Sequence, residues 1–126
     1  MVTWILWALI LAMLAWMGFN YLRIRRAAKI VDNEEFEALI RTGQLIDLRD
    51  PAEFHRKHIL GARNIPSSQL KTSLAALRKE KPVLLYENQR AQRVTNAALY
   101  LKKQGFSEIY ILSYGLDSWN GKVKTS

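Results

Sequence analysis

The 126-residue chain contains no cysteine, which excludes disulfide bonds and any reaction that needs a thiol on this chain. Its two histidines, His55 and His58, stand in no cysteine-containing pattern, so a metal site has little support and we expect no cofactor. The six glycines and three prolines form no low-complexity tract or internal repeat. These absences leave one ordinary domain with an appendage as the simplest organisation.

Charge is absent from the first 22 residues, and Arg23 is the first charged residue. Residues 4–19 read WILWALILAMLAWMGF, and a helix of about 20 apolar residues crosses a bilayer core about 30 Å thick. A cleaved signal peptide would need a basic segment before this run and a small-residue cleavage site after it. A buried core helix would show a polar face. Residues 1–22 are therefore predicted to form one transmembrane anchor.

Basic residues follow the predicted anchor at once, in a juxtamembrane linker over residues 23–29. The residues expected at the membrane surface are Arg23, Arg25, Arg26 and Lys29. Cationic residues beside a span are retained in the cytoplasm, so we expect a single-pass protein of the plasma membrane with its N-terminus outside and its domain inside. The part after the anchor carries the whole formal charge of +8, which suits an anionic inner leaflet. Nucleic-acid binding is the rival explanation, but no RNA or DNA module signature supports it.

Apolar runs alternate with helical patterns after the linker, which predicts an α/β domain over residues 30–121 and a frayed tail over residues 122–126. The predicted strands are residues 28–31, 45–48, a brief strand before Pro66, residues 82–86 and residues 108–112. The predicted helices follow Asp32, begin at Asp50-Pro51, cover residues 70–77 and 91–104, and surround Trp119. Strands that alternate with helices form a parallel sheet covered on both faces.

The stretch LIDLRDPAEFHRKHILGARNIP, residues 45–66, resembles the signature of the rhodanese-like family. The motif positions in register are Asp47, Arg49, Asp50, Glu53, Phe54, His58, Ile59, Gly61, Ala62, Asn64, Ile65 and Pro66. The chain departs from the motif at Lys57, where the family usually has glycine, and at Leu48, where valine is common. The resemblance runs from Ile30 to about Trp119 and implies a five-stranded parallel sheet flanked by helices, here preceded by the anchor.

The resemblance also implies a site in the loop after the central strand. In active family members that loop begins with a cysteine, whose thiolate carries sulfane sulfur among backbone N–H groups at the head of the next helix. Here Glu87 occupies the cysteine position, Arg90 the position of the usual glycine and Gln92 that of the usual arginine. The degenerate loop is Glu87, Asn88, Gln89, Arg90, Ala91 and Gln92.

A carboxylate forms no persulfide, although it serves as a base or nucleophile elsewhere. We therefore expect no catalytic residue in this loop. Glu87 is predicted to accept the N–H bonds that an anion would take, with Arg90 and Arg93 as its ionic partners, so that the site is occupied by the chain itself. The alternative is that Glu87 is a surface glutamate left where a function was lost.

Four other prominent side chains are expected to be structural, namely Asp47, Arg49, His58 and Trp119. Asp47 and Arg49 are at the end of a predicted strand, and Arg49 is expected to pair with Asp50 or Glu53 and so to fix the turn that follows the strand. His58 is expected to be packed and hydrogen-bonded, and Trp119 to belong to the core.

Three functions stay open on these residues. We favour a membrane-anchored, catalytically inactive rhodanese-like module, a pseudoenzyme that binds a membrane or cytoplasmic protein, with Glu87, Arg90 and Arg93 as candidate binding residues. Sulfur transfer, or dephosphorylation by the phosphatase branch of the fold, is the alternative that the family implies, and both need the missing cysteine. Sensing of anionic lipid or another anion through the basic surface is the third.

Overall fold

The computed structural model describes residues 2–89 and 92–125, with the backbone alone for residues 23–27 and 92. Its helices are α1 (Val2–Ala27), α2 (Asn33–Ile40), α3 (Pro51–Arg56) and α4 (Gln92–Lys103). Its strands are β1 (Lys29–Val31), β2 (Gln44–Asp47), β3 (Lys57–Ile59), β4 (Arg63–Asn64), β5 (Val83–Tyr86), β6 (Ile109–Leu112) and β7 (Val123–Thr125). Three short 3₁₀ turns cover Ser67–Gln69, Lys71–Ala76 and Leu116–Ser118.

Five strands form one sheet in the order β1-β6-β5-β2-β4, and all neighbours in it are parallel. Leu84 of β5 lies between Leu45 of β2 and Tyr110 of β6. All four residues of β5 are buried, as expected for a central strand that is covered on both faces. The predicted five-stranded parallel sheet flanked by helices is confirmed.

The core lies on both faces of the sheet because side chains alternate along each strand. Val83 and Leu85 point to one face, where they pack with residues of α4 and of the segment after β4. Leu84 and Tyr86 point to the other face, toward Phe36 of α2. The sequence offers Asp32 or Asn33 as the cap of α2, and the structure has Asp32, whose Oδ1 accepts a hydrogen bond from Glu35 N at 2.9 Å.

The C-terminal segment is not a frayed tail, which corrects the sequence prediction. Val123–Thr125 forms β7 and pairs antiparallel with β3, with Val123 opposite Ile59. Val123 joins the apolar cluster around Ile59, which is 1% exposed. Burial of this apolar pair stabilises a ribbon that is otherwise formed by polar residues.

The helix predicted over residues 70–77 is also different. The chain forms 3₁₀ turns there, with Thr72 Oγ1 donating to Gln69 O at 2.9 Å. Ser and Thr side chains that bond to nearby backbone groups compete with α-helical bonds, and this segment contains Ser67, Ser68, Thr72 and Ser73. Leu70 and Leu77 remain buried, so the predicted apolar face is present on a tighter helix.

Helix α1 contains the stretch Val2–Leu22, which is long and apolar enough to cross a membrane. Its large apolar side chains are exposed. The helix continues through residues 23–27, so most of the predicted linker extends α1, and Lys29 already belongs to β1. The side chains of Arg23, Arg25 and Arg26 lie outside the described residues.

Candidate functional site

The candidate site lies at the carboxyl end of β5, where the central strand gives way to the loop that leads into α4. Open parallel sheets bind their ligands at this edge. Tyr86 ends the strand and is fully buried, and the next residue, Glu87, is 8% exposed. The Glu87 carboxylate therefore lies at the end of the central strand, where a ligand of this fold would bind.

The Glu87 carboxylate accepts a hydrogen bond from the backbone of α4: Val94 N donates to Glu87 Oε2 at 2.9 Å. Val94 is in the first turn of α4, where unpaired N–H groups and the helix dipole favour negative charge. The predicted bond from the helix head to Glu87 is thus present. Arg90 and Ala91 lie outside the described residues, and Gln92 opens α4 with its backbone.

The turn before Trp119 holds the start of the loop. Leu116 N donates to Glu87 O at 2.8 Å, and Asp117 N donates to Asn88 O at 3.0 Å. Gly115 has a φ of 70°, and a Cβ there would lie 2.4 Å from Asn88 O. Only glycine allows this approach, so the residue before the 3₁₀ turn determines how closely the two segments pack.

A buried ion pair supports the loop from the β2 side. Arg49 Nε lies 3.0 Å from Asp47 Oδ1, and Arg49 Nη2 lies 2.8 Å from Asp47 Oδ2. Arg49 Nη1 donates to Asn88 Oδ1 at 3.0 Å, while Asn88 Nδ2 donates to Glu53 Oε2 at 2.8 Å. Burial opposes the charge on Arg49, but the hydrogen bond and charge of Asp47 outweigh it and raise the pKa of Arg49.

This arrangement corrects the ionic partner that the sequence predicts. Arg49 pairs with Asp47 rather than with Asp50 or Glu53, because Asp47 is fully buried and its charge needs a direct counter-ion. Glu53 is linked to Arg49 through the amide of Asn88. The role of Asn88 was missed, because its sequence position predicts a loop residue and no particular partner.

Tyr86 was also missed as part of the site. Its hydroxyl accepts a hydrogen bond from Ile59 N at 3.1 Å, and the guanidinium carbon of Arg49 lies 6.0 Å from its ring centroid. Burial, and then the charge of Asp47, raise the pKa of Tyr86 above its ordinary value. A tyrosine at the end of an otherwise aliphatic strand was the signal that could have found it.

The packing predictions for His58 and Trp119 can be compared with the structure directly. His58 Nδ1 lies 2.7 Å from Phe54 O, and the ring centroids of His58 and Phe54 are 3.8 Å apart in a stacked arrangement. His58 is therefore a packed, hydrogen-bonded histidine, as predicted. Trp119 is half-buried, and its ring lies edge-on to that of Phe36 with the two ring centroids 5.9 Å apart. Within residues 2–89 and 92–125, His, Asp and Glu form no group that could hold a metal ion.

Two shallow hollows flank the loop. One, of about 300 Å³, is lined by Gln89, Ser113, Tyr114, Asp117 and Ser118. The other, of about 290 Å³, lies between α4 and the segment after β4, and Arg93 lines it together with Lys71. Arg93 is exposed.

Comparison with known proteins identifies the family. The rhodanese-like domain model matches residues 32–122. The chain belongs to the rhodanese-like family. The uncharacterized protein YqhL of Bacillus subtilis is 47% identical to this rhodanese-like protein over 113 residues, covering 90% of this chain and 89% of the relative. The thiosulfate sulfurtransferase GlpE of Stutzerimonas stutzeri is 35% identical, covering 72% of this chain and 84% of the relative.

Solved structures have the same fold. A rhodanese-related protein of Thermoplasma volcanium superposes with a TM-score of 0.70 at 22% identity, covering 78% of this chain and 99% of that one. The rhodanese-like domain described here therefore belongs to a family that contains sulfurtransferases. In this chain the loop places the Glu87 carboxylate at the head of α4. A carboxylate accepts hydrogen bonds and attracts cations.

Proposed function

We propose that this rhodanese-like domain is a membrane-anchored binding module that transfers no sulfur. The observation that carries the proposal is the hydrogen bond from Val94 N to the Glu87 carboxylate, at the position where the family resemblance expects a cysteine. Sulfur transfer through a persulfide needs a thiolate, and the chain has no cysteine. The Glu87 carboxylate also places negative charge where an anionic sulfur donor would have to enter.

The anchor in this proposal is α1. Its apolar stretch Val2–Leu22 spans the bilayer, and the basic residues that follow keep the domain on the cytoplasmic side of the plasma membrane. A tether of this kind confines the domain to two dimensions and raises its effective concentration for partners at the membrane. The partner in this proposal is a membrane or cytoplasmic protein.

The binding face is the surface around the start of the loop. Tyr114 is 70% exposed beside the hollow that Gln89 and Asp117 line, and exposed aromatic side chains are enriched in protein interfaces. The backbone there is held by bonds from the 3₁₀ turn to Glu87 and Asn88, so a partner meets a preformed surface. Arg93, predicted with Glu87 and Arg90 as a binding residue, is exposed and would contribute a cation, and Arg90 lies outside the described residues.

Photo-crosslinking from Tyr114 tests the binding half of the proposal. A photoreactive phenylalanine at Tyr114 in the full chain should yield a discrete protein adduct in cell membranes, and Asp117→Lys should reduce that adduct. The same photoreactive residue at Ser107, which is exposed and precedes β6 at the other end of the sheet, is the control position. The same set of adducts from both positions would refute a specific binding face.

Sulfurtransferase activity is the second candidate, because curated relatives such as GlpE are thiosulfate sulfurtransferases. The full chain in detergent, given thiosulfate and cyanide, should form thiocyanate at the rate of a buffer blank. Glu87→Ala serves as the matched variant. Turnover above the blank that disappears in Glu87→Ala would establish the enzyme and reject the binding-module proposal.

A further inference from the structure

The strands of the main sheet are parallel, so they begin at one side of the sheet, which we call the amino edge. The segments that precede the strands meet there. Gln44 Nε2 donates to Arg78 O at 2.7 Å, and Val83 N donates to Glu108 O at 2.9 Å. The amino edge comprises Lys29 and residues 41–44, 78–83 and 102–109.

Basic side chains dominate the exposed surface of the amino edge. They are Lys29, Arg41, Arg78, Lys79, Lys81, Lys102 and Lys103. The acidic side chains in the same segments are Glu80 and Glu108, and Glu80 is paired with Arg78, whose Nη2 lies 2.6 Å from Glu80 Oε1. Lys29 Nζ lies 4.0 Å from Glu35 Oε2 of α2, which leaves five of the seven cations outside an ion pair with another described residue. A surplus of positive charge therefore remains for a partner outside the domain.

Acidic side chains collect near the opposite, carboxyl edge. They end strands or begin the segments that follow them, and they are Asp32, Glu34, Asp47, Asp50, Glu53, Glu87 and Asp117. An anionic plane attracts the amino edge more strongly than this one, where Arg49 offsets Asp47 and the exposed Arg93 adds positive charge. The β3–β7 ribbon carries its own exposed cations, Arg56, Lys57, Lys122 and Lys124, and is the rival basic surface.

The path of the chain brings the amino edge to the anchor. Helix α1 ends at Ala27, Ala28 is buried, and β1 begins at Lys29. The apolar stretch ends at Leu22, and residues 23–27 rise by only about 8 Å as a helix. The amino edge thus begins within about 10 Å of the bilayer, the Debye length at about 0.1 M salt.

The carboxyl edge lies at the other end of the strands. Helix α4, which contacts α1, has 12 residues and a length of about 18 Å. Lys102 and Lys103 end this helix at the amino edge, and Val94 begins it beside Glu87. An edge one helix length beyond the headgroups would be largely screened from their charge.

We propose that the amino edge docks on anionic phospholipid headgroups and turns the loop at Glu87 away from the membrane. This inference rests on the membrane anchor of the proposed function and adds the orientation of the domain. The basic surface then has a defined partner, and the loop face is left open for a protein.

The absence of cysteine makes a direct test possible, because a single introduced cysteine is the only labelling site. Ser107→Cys lies on the amino edge and Ser68→Cys follows β4 near the carboxyl edge, and both serines are exposed. The full chain carries a fluorophore at one of them in nanodiscs that contain a headgroup quencher, with or without phosphatidylglycerol. We expect quenching at Ser107 in anionic discs, its loss in about 1 M salt, where the Debye length is about 3 Å, and little quenching at Ser68.

Charge reversal identifies the surface. Lys79→Glu with Lys81→Glu should abolish the quenching at Ser107, whereas Lys122→Glu with Lys124→Glu, the same change in charge on the β3–β7 ribbon, should preserve it. All four lysines are exposed, and circular dichroism of each sample confirms the fold. Equal quenching at the two serines, quenching that ignores lipid charge, or equal loss from both double variants would overturn the proposal.

Co-elution of the chain with the nanodisc in high salt shows whether α1 anchors the chain in the bilayer, independently of the docking of the amino edge. A chain that stays with the disc but gives no contrast between Ser107 and Ser68 rejects the docking and leaves the anchor standing. A chain that elutes free of the disc rejects both.

Discussion

Asp47 is fully buried at the end of β2, and Arg49 is the counter-ion of its carboxylate. Asp47→Asn should destabilise the fold by about 3–5 kcal/mol, because it leaves the buried guanidinium without a charge partner. Thermal or urea unfolding of the full chain in detergent measures the loss. Glu35→Gln breaks the exposed pair in which Lys29 Nζ and Glu35 Oε2 lie 4.0 Å apart, and should change little. Similar losses from the two variants would contradict the buried-pair account.

Tyr86 should make stability fall at alkaline pH. Its pKa is raised in the folded state, so its contribution is complete below the unfolded value of about 10 and is lost as the pH rises above that value. Tyr86→Phe lacks this contribution and leaves Ile59 N without its acceptor, at a cost of about 1–3 kcal/mol near neutral pH. The difference in unfolding temperature between the wild type and Tyr86→Phe should be constant up to about pH 9 and should shrink as the pH rises above about 10.

Tyr114→Phe is the control for this pH series, because Tyr114 is 70% exposed. It should follow the wild type across the whole range. A constant difference between wild type and Tyr86→Phe would show that the phenol of Tyr86 does not couple to folding.

Glu87 should contribute to stability because its carboxylate bonds to the first turn of α4. Glu87→Ala removes the acceptor and should destabilise the fold by about 1.5–3 kcal/mol. Glu87→Gln keeps an acceptor oxygen and loses the charge at the helix head, at a cost of about 0.3–1 kcal/mol. Unfolding curves of both variants check this order, and two neutral substitutions would mean that Glu87 is a passive surface residue.

Residue-level predictions from sequence succeed where chain position decides the partner. Glu87 follows the central strand directly, so its place at the head of α4 could be predicted. Arg49 could not be assigned correctly, because a long side chain can choose among Asp47, Asp50 and Glu53, and burial of Asp47 decides the choice. Asn88 and Tyr86 enter the site through contacts with β3 and α3, which are distant in sequence.

At the scale of elements, the turn that precedes Trp119 should determine the shape of the loop. Gly115→Ala would place a Cβ 2.4 Å from Asn88 O and strain a φ of 70°, and should lower the unfolding temperature. Gly61→Ala has a similar backbone constraint, with a φ of 91°, but its Cβ would meet open space. Gly115→Ala should therefore cost more than Gly61→Ala, and the difference measures the contact with the loop. Equal losses would leave only backbone strain.

Elements with a clear period could be predicted, and the two strands of the β3–β7 ribbon could not. β5 is wholly apolar and α2 has a cap and an apolar stripe, so both were found within one or two residues. β3 and β7 have three residues each and depend on each other, so neither segment carries a period of its own. The 3₁₀ turns retain the spacing of buried leucines, which does not distinguish them from an α-helix.

At the scale of the whole molecule, the two edges of the sheet differ in charge. The amino edge carries exposed cations that precede the strands, and the loop that contains Glu87 lies at the carboxyl edge. The long apolar helix, the parallel sheet and the family were all predictable, because each depends on long stretches of sequence. The proposed orientation of the domain required the structure, since its cations come from separate segments that only the sheet brings together.

Intact-protein mass spectrometry after exposure to thiosulfate asks whether this chain can carry sulfur. At the position where the resemblance places a sulfur-carrying thiolate, the chain has the Glu87 carboxylate, which is hydrogen-bonded to Val94 N. The full-length protein, denatured and weighed after incubation, should have an unchanged mass, while GlpE of Stutzerimonas stutzeri treated alongside should gain sulfur. A wild-type species heavier by one sulfur atom, absent in Glu87→Ala, would contradict the account.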